Sequence, residues 1–339
     1  MNSGRFSAIA GRFPSLRVAV VGDFFLDRYL LIDPTKAETS IETGLPIHNV
    51  VEVRAQPGAA GTIVNNLVAL GVGEILAVGF SGDDGEGFEL RRALANLPGV
   101  NLDHFLTDPT RRTPVYCKPL VIESGHPPRE LSRLDSKNWT PTPVHLQFDL
   151  AARLTDLVGR VDAILLMDQV DQPETGVVTS MLLGVAHEAT RGRGSLVVLA
   201  DSRRGLGHYP PFAFKMNAAE LAVMSDGESS EMDLGSIQAR AADLAARNGH
   251  PMFITLAERG IIGAIPGRPP EHVPAHPVWG PIDVVGAGDA VTASLATSLA
   301  AGADVVEAME LAMTAASIVI HQLGTTGTAS VAQIAGRLA

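Results

Sequence analysis

The chain has little cysteine, few aromatic side chains and a deficit of positive charge. Cys117 is the one cysteine among 339 residues, so no disulfide can form within the chain, and the composition suits a reducing compartment. Lysine and arginine number 26 against 37 aspartates and glutamates, a formal net charge of -11. The net charge therefore disfavours binding to nucleic acid through overall charge, and any anionic ligand has to be held by local groups.

Long uninterrupted apolar runs are also missing. The N-terminal residues lack the apolar core of a secretory signal. The stretch from Val305 to Ile320 is broken by Glu307 and Glu310 and falls short of the roughly 18 apolar residues that a membrane span needs. We therefore expect a cytoplasmic protein with neither a membrane nor a nucleic-acid partner. Hydrophobic residues nevertheless make up 46% of the chain, which is enough for a large core.

Short apolar runs alternate with helical patterns along most of the chain. The runs are typical of buried parallel strands and occupy Leu16 to Val21, Ile75 to Val78, Ala163 to Met167, Leu196 to Ala200 and Met252 to Leu256. The helical patterns occupy Gly58 to Leu70, Phe88 to Leu97, Leu146 to Val158, Glu174 to Glu188, Leu234 to Arg247, Asp289 to Ala301 and Asp304 to His321. This alternation predicts an α/β fold with a doubly wound, mostly parallel sheet flanked by helices.

Two segments interrupt the alternation. Residues 28–56 and 113–122 carry short strand-like stretches, whereas residues 123–145 are typical of a loop. We expect a single domain over residues 1–339, with segments 28–56 and 113–122 inserted in it as a small β lid over the strand ends. A small sheet with an open face is stabilised when another surface covers that face. The lid is therefore also a candidate surface for a homodimer.

The segment DVVGAGD, from Asp283 to Asp289, directly precedes a helical pattern. Its turn Gly286-Ala287-Gly288 lets backbone amides converge on one anion, and a helix N-terminus adds partial positive charge. Asp289 falls in the first helical turn, where a carboxylate can accept a hydroxyl proton during phosphoryl transfer. The alternative interpretation is an ordinary glycine-rich loop in which Asp289 caps the helix.

The same segment resembles the D-x-x-G-A-G-D signature of the PfkB/ribokinase family of sugar and nucleoside kinases, and the likeness extends over roughly residues 17–330. Within the family, residues 22–29 (GDFFLDRY) and 323–326 (LGTT) are similar to the opening and the end of kinase domains that phosphorylate heptose 7-phosphate in lipopolysaccharide heptose synthesis. The resemblance implies a ribokinase-like fold and ATP-dependent phosphorylation of a hydroxyl on a sugar or sugar phosphate. A heptose 7-phosphate is one candidate substrate.

The resemblance also implies roles around the substrate. It assigns the catalytic base to Asp289 and the anion hole for the phosphoryl group to Gly286, Ala287 and Gly288. It assigns substrate binding to Asp23, Asp27, Gly58, Asn66, Arg133 and Asp168. Two alternatives stay open: Asp27 could pair with Arg28 or a lid residue, and Arg133 and Asp168 could each belong to a surface ion pair.

The resemblance also implies nucleotide-binding residues in two short motifs and in the C-terminal region. The run NAAE resembles the family's N-x-x-E motif, which implies that Asn217 binds nucleotide and that Glu220 orders water around Mg²⁺. The alternative is a capping box at a helix start. The run TLAERG resembles the T-L-G-x-x-G nucleotide turn and implies Thr255 and Gly260 as nucleotide-binding residues, together with Gly324.

A plain hairpin turn is the alternative for TLAERG. The cofactors that the resemblance implies are ATP, as phosphoryl donor, and Mg²⁺, with a monovalent cation near Asp283 by analogy. The implied partners are a small sugar or sugar phosphate and a nucleotide.

Three positions depart from the family pattern. Ala59 and Ala257 stand where the family has glycine, and Thr62 stands where it has asparagine, although Asn66 one turn later matches. These departures leave open a catalytically altered member that binds a sugar or nucleotide as a sensor. A dinucleotide-dependent oxidoreductase is excluded, because no G-x-G-x-x-G follows the first strand.

Overall fold

Seventeen strands and ten α-helices follow one another in residues 1–225 and 233–338, the part of the chain that the computed structural model describes. The strands are β1 (Arg17–Gly22), β2 (Phe24–Ile32), β3 (Glu38–Thr39), β4 (Pro46–Ile47), β5 (Val50–Ala59), β6 (Glu74–Gly82), β7 (Val100–Asn101), β8 (Phe105–Asp108), β9 (Val115–Val121), β10 (Arg129–Glu130), β11 (Leu134–Ser136), β12 (Ala163–Asp168), β13 (Val197–Ser202), β14 (Ala213–Asn217), β15 (Met252–Thr255), β16 (Ile261–Ala264) and β17 (Glu271–Val273). The helices are α1 (Ser3–Ala10), α2 (Ala60–Ala69), α3 (Gly85–Ala95), α4 (Val144–Leu157), α5 (Ser180–Thr190), α6 (Ala218–Met224), α7 (Leu234–Asn248), α8 (Ala287–Ala300), α9 (Val305–Val319) and α10 (Val331–Leu338).

The larger sheet has the strand order β17-β16-β15-β14-β13-β12-β1-β6-β7, with β8 also paired to β6. Every pairing from β14–β15 through β1 to β6 and its neighbours is parallel, while β15–β16 and β16–β17 are antiparallel. The predicted doubly wound, mostly parallel sheet is therefore confirmed. No helix in residues 1–225 and 233–338 is long and apolar enough to cross a membrane.

Helices cover both faces of this sheet, which explains why its strands are continuous apolar runs. In β1, Val18 and Val20 face the layer of α2, α8 and α9, whereas Ala19 and Val21 face the layer of α4, α5 and α7. Successive strand side chains point to opposite faces, so a strand buried on both faces needs an apolar residue at every position.

Several elements differ from the sequence-based expectations. The pattern does not predict β14, a strand in the middle of the sheet whose central residue is Lys215. Helix α5 begins at Ser180, whereas the pattern predicts a start at Glu174, because Glu174 has a φ of 63° and Thr179 caps the helix. Residues 123–145, predicted mainly as loop, also hold β10, β11 and the start of α4.

A second, smaller sheet has the order β10-β9-β2-β5, with β11 also paired to β9. Strand β2 runs antiparallel to β5 and parallel to β9. Both segments predicted as a lid contribute strands to this sheet, although β2 begins at Phe24, before the predicted boundary. The role of this sheet as a lid stays a prediction. The single domain over residues 1–339 also stays a prediction, and residues 226–232 and 339 lie outside the part of the chain that the structure describes.

The chain reverses its direction of travel across the larger sheet at β1. From β1 it proceeds to β6 on one side and later returns to β12 on the other, so β1 and β12 flank the switch point. Open α/β sheets bind ligands at the carboxyl ends of the strands beside such a point. Asp23 follows β1 directly and Asp168 is the last residue of β12, so both carboxylates lie at this edge.

Candidate active site

The N-terminus of α8 is built from the Gly286-Ala287-Gly288 turn. Gly286 caps the helix with a φ of 84°, the left-handed region that favours glycine. The amide of Ala287 donates to the carbonyl of Val284 at 3.2 Å. The amides of Gly288 and Asp289 have no acceptor within residues 1–225 and 233–338. Free amides at a helix start can bind an anion.

Asp289 lies in the first turn of α8, next to these amides. Burial raises the pKa of this carboxyl to about 7, the negative charge of Asp201 adds to the effect, and Lys215 opposes it. Asp27, from the second sheet, contributes a smaller upward shift, so Asp27 and Asp289 lie within electrostatic reach of each other. A carboxyl with a pKa near neutrality can exchange a proton with a bound hydroxyl.

Lys215 is a site residue that the sequence reasoning missed. Its side chain projects from β14, is only 8% exposed and donates from Nζ to Asp201 Oδ2 at 2.8 Å. A Cβ added to Gly288 would lie 3.1 Å from Nζ, so the ammonium sits against the start of α8. Burial lowers the pKa of Lys215, but Asp201 outweighs burial and the net shift is upward. The one signal in the sequence is a lone lysine between apolar residues just before Asn217.

Asn217 and Glu220 form a reciprocal capping box at the start of α6. The Glu220 amide donates to Asn217 Oδ1 at 2.9 Å, and the Asn217 amide donates to Glu220 Oε2 at 2.7 Å. The alternative interpretation of this motif is therefore present in the structure. Burial raises the pKa of Glu220, and Asp201 raises it further. In residues 1–225 and 233–338 no three His, Cys, Asp or Glu side chains are grouped to hold a metal ion directly.

Asp27 projects from β2 with one oxygen unsatisfied. The residue is 4% exposed, and its Oδ1 is buried without a hydrogen-bond partner in the described structure. A Cβ on Gly58 would lie 2.6 Å from Oδ1, so glycine at this position makes room for the carboxylate. Arg28 does not pair with Asp27, because it donates to Glu89 at 3.0 Å. A buried, unpaired carboxylate oxygen is a ready acceptor for a ligand hydroxyl.

Asp23 is bound by the protein backbone. Its Oδ1 accepts the Val177 amide at 2.7 Å and its Oδ2 accepts the Gln169 amide at 2.8 Å. Burial, together with the neighbouring charge of Asp168, raises the pKa of Asp23 to about 7. Asp23 thus ties the end of β1 to the loop that follows β12.

Asp168 is fully buried in a polar network. Its Oδ2 accepts Arg204 at 2.7 Å, Ser202 at 2.9 Å and Tyr209 at 3.2 Å. The ion pair with Arg204 is therefore an interior one, in contrast to the surface pair that was the alternative. The charge of Asp168 acts on Asp23, whose oxygens accept the amides of Gln169 and Val177, while Arg204 pairs with Asp168.

Two further predicted substrate residues, Asn66 and Arg133, bind residues close to them in the sequence. The side-chain amide of Asn66 donates to the Thr62 carbonyl at 2.9 Å, within α2. Arg133 pairs with Asp135 at 2.8 Å on the second sheet, and its guanidinium carbon lies 4.4 Å from the ring centroid of Tyr116. The alternative of a surface ion pair is thus present for Arg133, although the same side chain borders the Asp27 region.

The predicted nucleotide residues lie on a hairpin and a C-terminal loop. Thr255 Oγ1 donates to the Met216 carbonyl at 3.3 Å. Gly260 has a φ of 96°, and a Cβ there would lie 2.0 Å from the Val273 carbonyl oxygen, so the β15–β16 hairpin requires glycine. Gly324, with a φ of 72°, opens a loop in which Thr326 accepts a hydrogen bond from Gln56 of the second sheet.

Both alanines that replace family glycines adopt positive φ. Ala59, the residue before α2, has φ 55° and ψ -117°, and Ala257 has a φ of 52°. Side chains with a Cβ rarely adopt these values, so the departures introduce backbone strain at two turns.

Comparison with solved structures identifies the fold. Arabidopsis thaliana ribokinase, solved with ribose and ATP, matches with a TM-score of 0.70 at 18% identity over 95% of this chain and 98% of that chain. Escherichia coli phosphofructokinase-2, solved with potassium, matches with a TM-score of 0.71 at 16% identity over 95% of this chain and 99% of that one. The fold is ribokinase-like, as predicted.

Sequence comparison finds related proteins. Residues 187–332 match the family described as pfkB family carbohydrate kinase. The bifunctional protein HldE of Pelobacter propionicus is 31% identical over 339 residues, covering 97% of this chain and 64% of that protein. The chain thus spans a little less than two thirds of the length of the curated relatives it matches. The chain is thus similar to pfkB family carbohydrate kinases over residues 187–332, and to the kinase-containing relatives named HldE over nearly its whole length.

Proposed function

We propose that the protein transfers the γ-phosphoryl group of ATP to a hydroxyl of a sugar or sugar phosphate, with a heptose 7-phosphate as one candidate substrate. The match of residues 187–332 to pfkB family carbohydrate kinases supports the reaction class. The observation that carries the proposal is the carboxyl of Asp289, whose pKa burial raises to about 7, beside free amides at the start of α8. Asp27, with its unsatisfied oxygen, lies within electrostatic reach of Asp289.

In the proposed reaction Asp289 accepts the proton of the substrate hydroxyl. The hydroxyl oxygen forms a bond to the γ-phosphorus while the bond from phosphorus to the leaving oxygen of ADP breaks. The turn from Gly286 to Gly288 presents amides to the phosphoryl oxygens, and the ammonium of Lys215 adds a positive charge beside Gly288. Because these groups are already fixed, they stabilise the developing charge with little reorganisation.

We propose that Asp27, next to Gly58, accepts hydroxyls of the sugar and thereby orients it. Asp23 and Asp168 hold the carboxyl ends of β1 and β12 in place through the hydrogen bonds that they already make, and Asn66 is bonded within α2. Loss of Asp27 should therefore affect substrate binding, whereas loss of Asp23 or Asp168 should affect the structure around the ends of β1 and β12.

The residues near Lys215 fit a magnesium ion that is held through water and phosphate. Glu220 and Asp201 supply carboxylates there without forming a direct protein cage, and Mg²⁺ commonly keeps several waters in kinase sites. When bound, the ion neutralises phosphate charge. We propose nucleotide contacts from Asn217, Thr255, Gly260 and Gly324, and a monovalent cation near Asp283.

A homodimer through the second sheet also stays a proposal. Val51, Val53 and Leu134 on this sheet are 51%, 48% and 66% exposed. Sedimentation of the full chain at several concentrations tests it, with a dimer as the expected species.

Release of ADP from ATP, measured across matched sugars and sugar phosphates, tests the proposed function. We expect turnover with at least one substrate and none without a sugar. Thermal stabilisation by sugars and by ATP without ADP release from any pair would instead support the sensor alternative, which the intact Gly286–Asp289 turn disfavours.

A further inference from the structure

Gln56 lies on the face of the second sheet that carries Asp27. The register of β2 with β5 places the two residues directly opposite each other, and directly opposite residues of neighbouring strands project to the same face. Gly58, two residues further along β5, makes room for the Asp27 carboxylate, whose Oδ1 has no partner in the described residues. Gln56 is therefore part of the surface that is proposed to bind the sugar.

The side-chain amide of Gln56 bonds to the C-terminal loop. Its Nε2 donates to Thr326 Oγ1, and its Oε1 accepts from Thr325 Oγ1 at 3.4 Å. An amide can donate from one end and accept at the other, so two adjacent threonines fix its orientation. Both threonines belong to the run LGTT of residues 323–326, of which the proposed nucleotide contacts include only Gly324.

Thr326 packs against the start of α8. The residue is 9% exposed, and a Cβ added to Gly286 would lie 3.4 Å from its Cβ and 3.5 Å from its Cγ2. Gly286 is the cap residue that precedes the free amides of Gly288 and Asp289. The side chain of Thr326 thus borders the anion-binding turn on one side and bonds to Gln56 on the other.

The loop that carries the two threonines is closed by a third side chain. Gln322 donates from Nε2 to the Thr328 carbonyl at 2.7 Å, and its Oε1 accepts the Thr328 amide at 3.1 Å. A loop closed in this way has fewer conformations. A change at the bonds of Gln56 is therefore carried to the contact between Thr326 and Gly286 rather than lost within the loop.

We propose that Gln56 is a positioning residue that couples the Asp27 face of the second sheet to the anion-binding turn of α8, so that a sugar and a nucleotide bind more tightly together than alone. The inference rests on the proposed function. With its bonds formed, Gln56 holds Asp27 and the Gly286 turn in the relative position that presents both to one pair of ligands. Each ligand stabilises that arrangement, and by thermodynamic linkage each strengthens the binding of the other.

Sugar binding with and without nucleotide measures this coupling. The probes are heptose 7-phosphate and ribose, titrated by calorimetry into the full chain alone and with saturating magnesium and a non-hydrolysable ATP analogue. For at least one probe we expect the analogue to tighten binding to the wild type by about 10-fold. Gln56→Met keeps the length of the side chain and removes both hydrogen bonds. It should bind each ligand alone with the wild-type affinity and lose the tightening.

A double-mutant cycle with Thr326→Val separates the link from a general loss of packing. Valine keeps the methyl that faces Gly286 and loses the hydroxyl that accepts from Gln56. Since both substitutions break the same bond, the two single variants and the double variant should show nearly equal coupling. Gln147→Met is the matched control, because Gln147 is also half-buried and donates its side-chain amide, to the Thr142 carbonyl at 2.7 Å. It should keep the wild-type coupling.

Three results for the wild type and the variants would overturn the inference. They are a wild type that binds no sugar or binds it equally with and without the analogue, wild-type coupling in Gln56→Met, and an equal loss of coupling in the Gln147→Met control. Losses that add between Gln56→Met and Thr326→Val would also overturn it, because the two residues would then act separately.

Binding and turnover are measured separately, so the two proposals can fail independently. Release of ADP by a wild type that shows no coupling overturns the inference alone. Coupling that depends on Gln56 without release of ADP overturns the proposed function alone.

Discussion

Two clusters of charged residues lie at the carboxyl edge of the larger sheet, and they differ in the kind of group that the protein leaves without a hydrogen bond. The helix cluster comprises Asp201, Lys215 and Asp289 at the start of α8. The strand cluster comprises Asp23, Asp168 and Arg204 beside the switch point. Each contains an aspartate whose pKa burial raises to about 7, Asp289 in one and Asp23 in the other.

The difference lies in the hydrogen bonds. Both oxygens of Asp23 accept backbone amides, and Asp168 is paired with Arg204, although Asp168 Oδ1 and Arg204 Nε have no hydrogen-bond partner in the described residues. In the helix cluster the amides of Gly288 and Asp289 lack acceptors in the described residues, and the Lys215 ammonium stands beside them. A shifted pKa alone therefore does not distinguish chemistry from architecture. Backbone amides left free at a helix start beside the shifted acid do, because such amides can bind an anion.

The largest expected effect is on Asp289. We predict that Asp289→Asn lowers kcat by about 10³- to 10⁴-fold, because the amide cannot accept the hydroxyl proton, while ATP binding stays near the wild-type value. Steady-state ADP release and nucleotide binding measure the two quantities. Asp149→Asn, which removes an exposed aspartate of α4, is the control and should leave both unchanged. Retained turnover in Asp289→Asn would rule out the base assignment.

A substitution in the strand cluster should lower the free energy of unfolding more than it lowers kcat. Arg204→Met leaves the interior carboxylate of Asp168 without its cation, and removal of one partner of a buried ion pair costs about 3–5 kcal/mol. We expect a loss of that order in the free energy of unfolding, measured by denaturant titration, with kcat of the folded protein within a few-fold of wild type. Arg191→Met, in an exposed pair with Glu188, should cost less than about 1 kcal/mol. A large fall in kcat of Arg204→Met without a loss of stability would show that the strand cluster takes part in the chemistry, contrary to the structural role assigned to it.

Lys215 should show a mixed response. Lys215→Met is expected to lower kcat by about 100-fold, the usual effect of losing one charge-stabilising donor. It should also move the acid limb of the pH–rate profile to higher pH, because the lysine lowers the pKa of Asp289. The Lys215→Met/Asp201→Asn double variant should recover stability without recovering kcat, which separates the two roles. Full activity of that double variant would show that Lys215 is only the partner of Asp201.

The smallest expected effect concerns backbone strain outside both clusters. Ala59→Gly should stabilise the protein by about 1 kcal/mol, since relief of a positive φ outweighs the added flexibility of glycine. Ala8→Gly, at an exposed position in α1, should destabilise by a similar amount. If both substitutions destabilise equally in thermal or chemical unfolding, Ala59 is not strained.

The sequence predicts much of the fold because the sheet is buried on both faces. Continuous apolar runs such as Ala163 to Met167 leave few alternatives to a parallel strand. The same pattern does not predict strand β14, because Lys215 interrupts its apolar run. The interruption is itself functional information, since a lysine in a central strand requires a partner such as Asp201.

The helix cluster can be anticipated in part, because the Gly286–Asp289 turn and the start of α8 are adjacent in sequence. The unsatisfied oxygen of Asp27 and the position of Gln56 opposite it cannot. They depend on the register of β2 with β5, which only the folded sheet determines.

The most direct test of the account is the pH dependence of kcat/KM for the wild-type protein with its best sugar or sugar phosphate. Asp289 must be deprotonated to accept a proton, so the rate should fall about tenfold per unit as pH drops below the pKa of the free enzyme's base. With that pKa raised by burial, we predict an acid limb with an apparent pKa of about 7. A profile that stays flat down to pH 5 would contradict the assignment of Asp289 as the base.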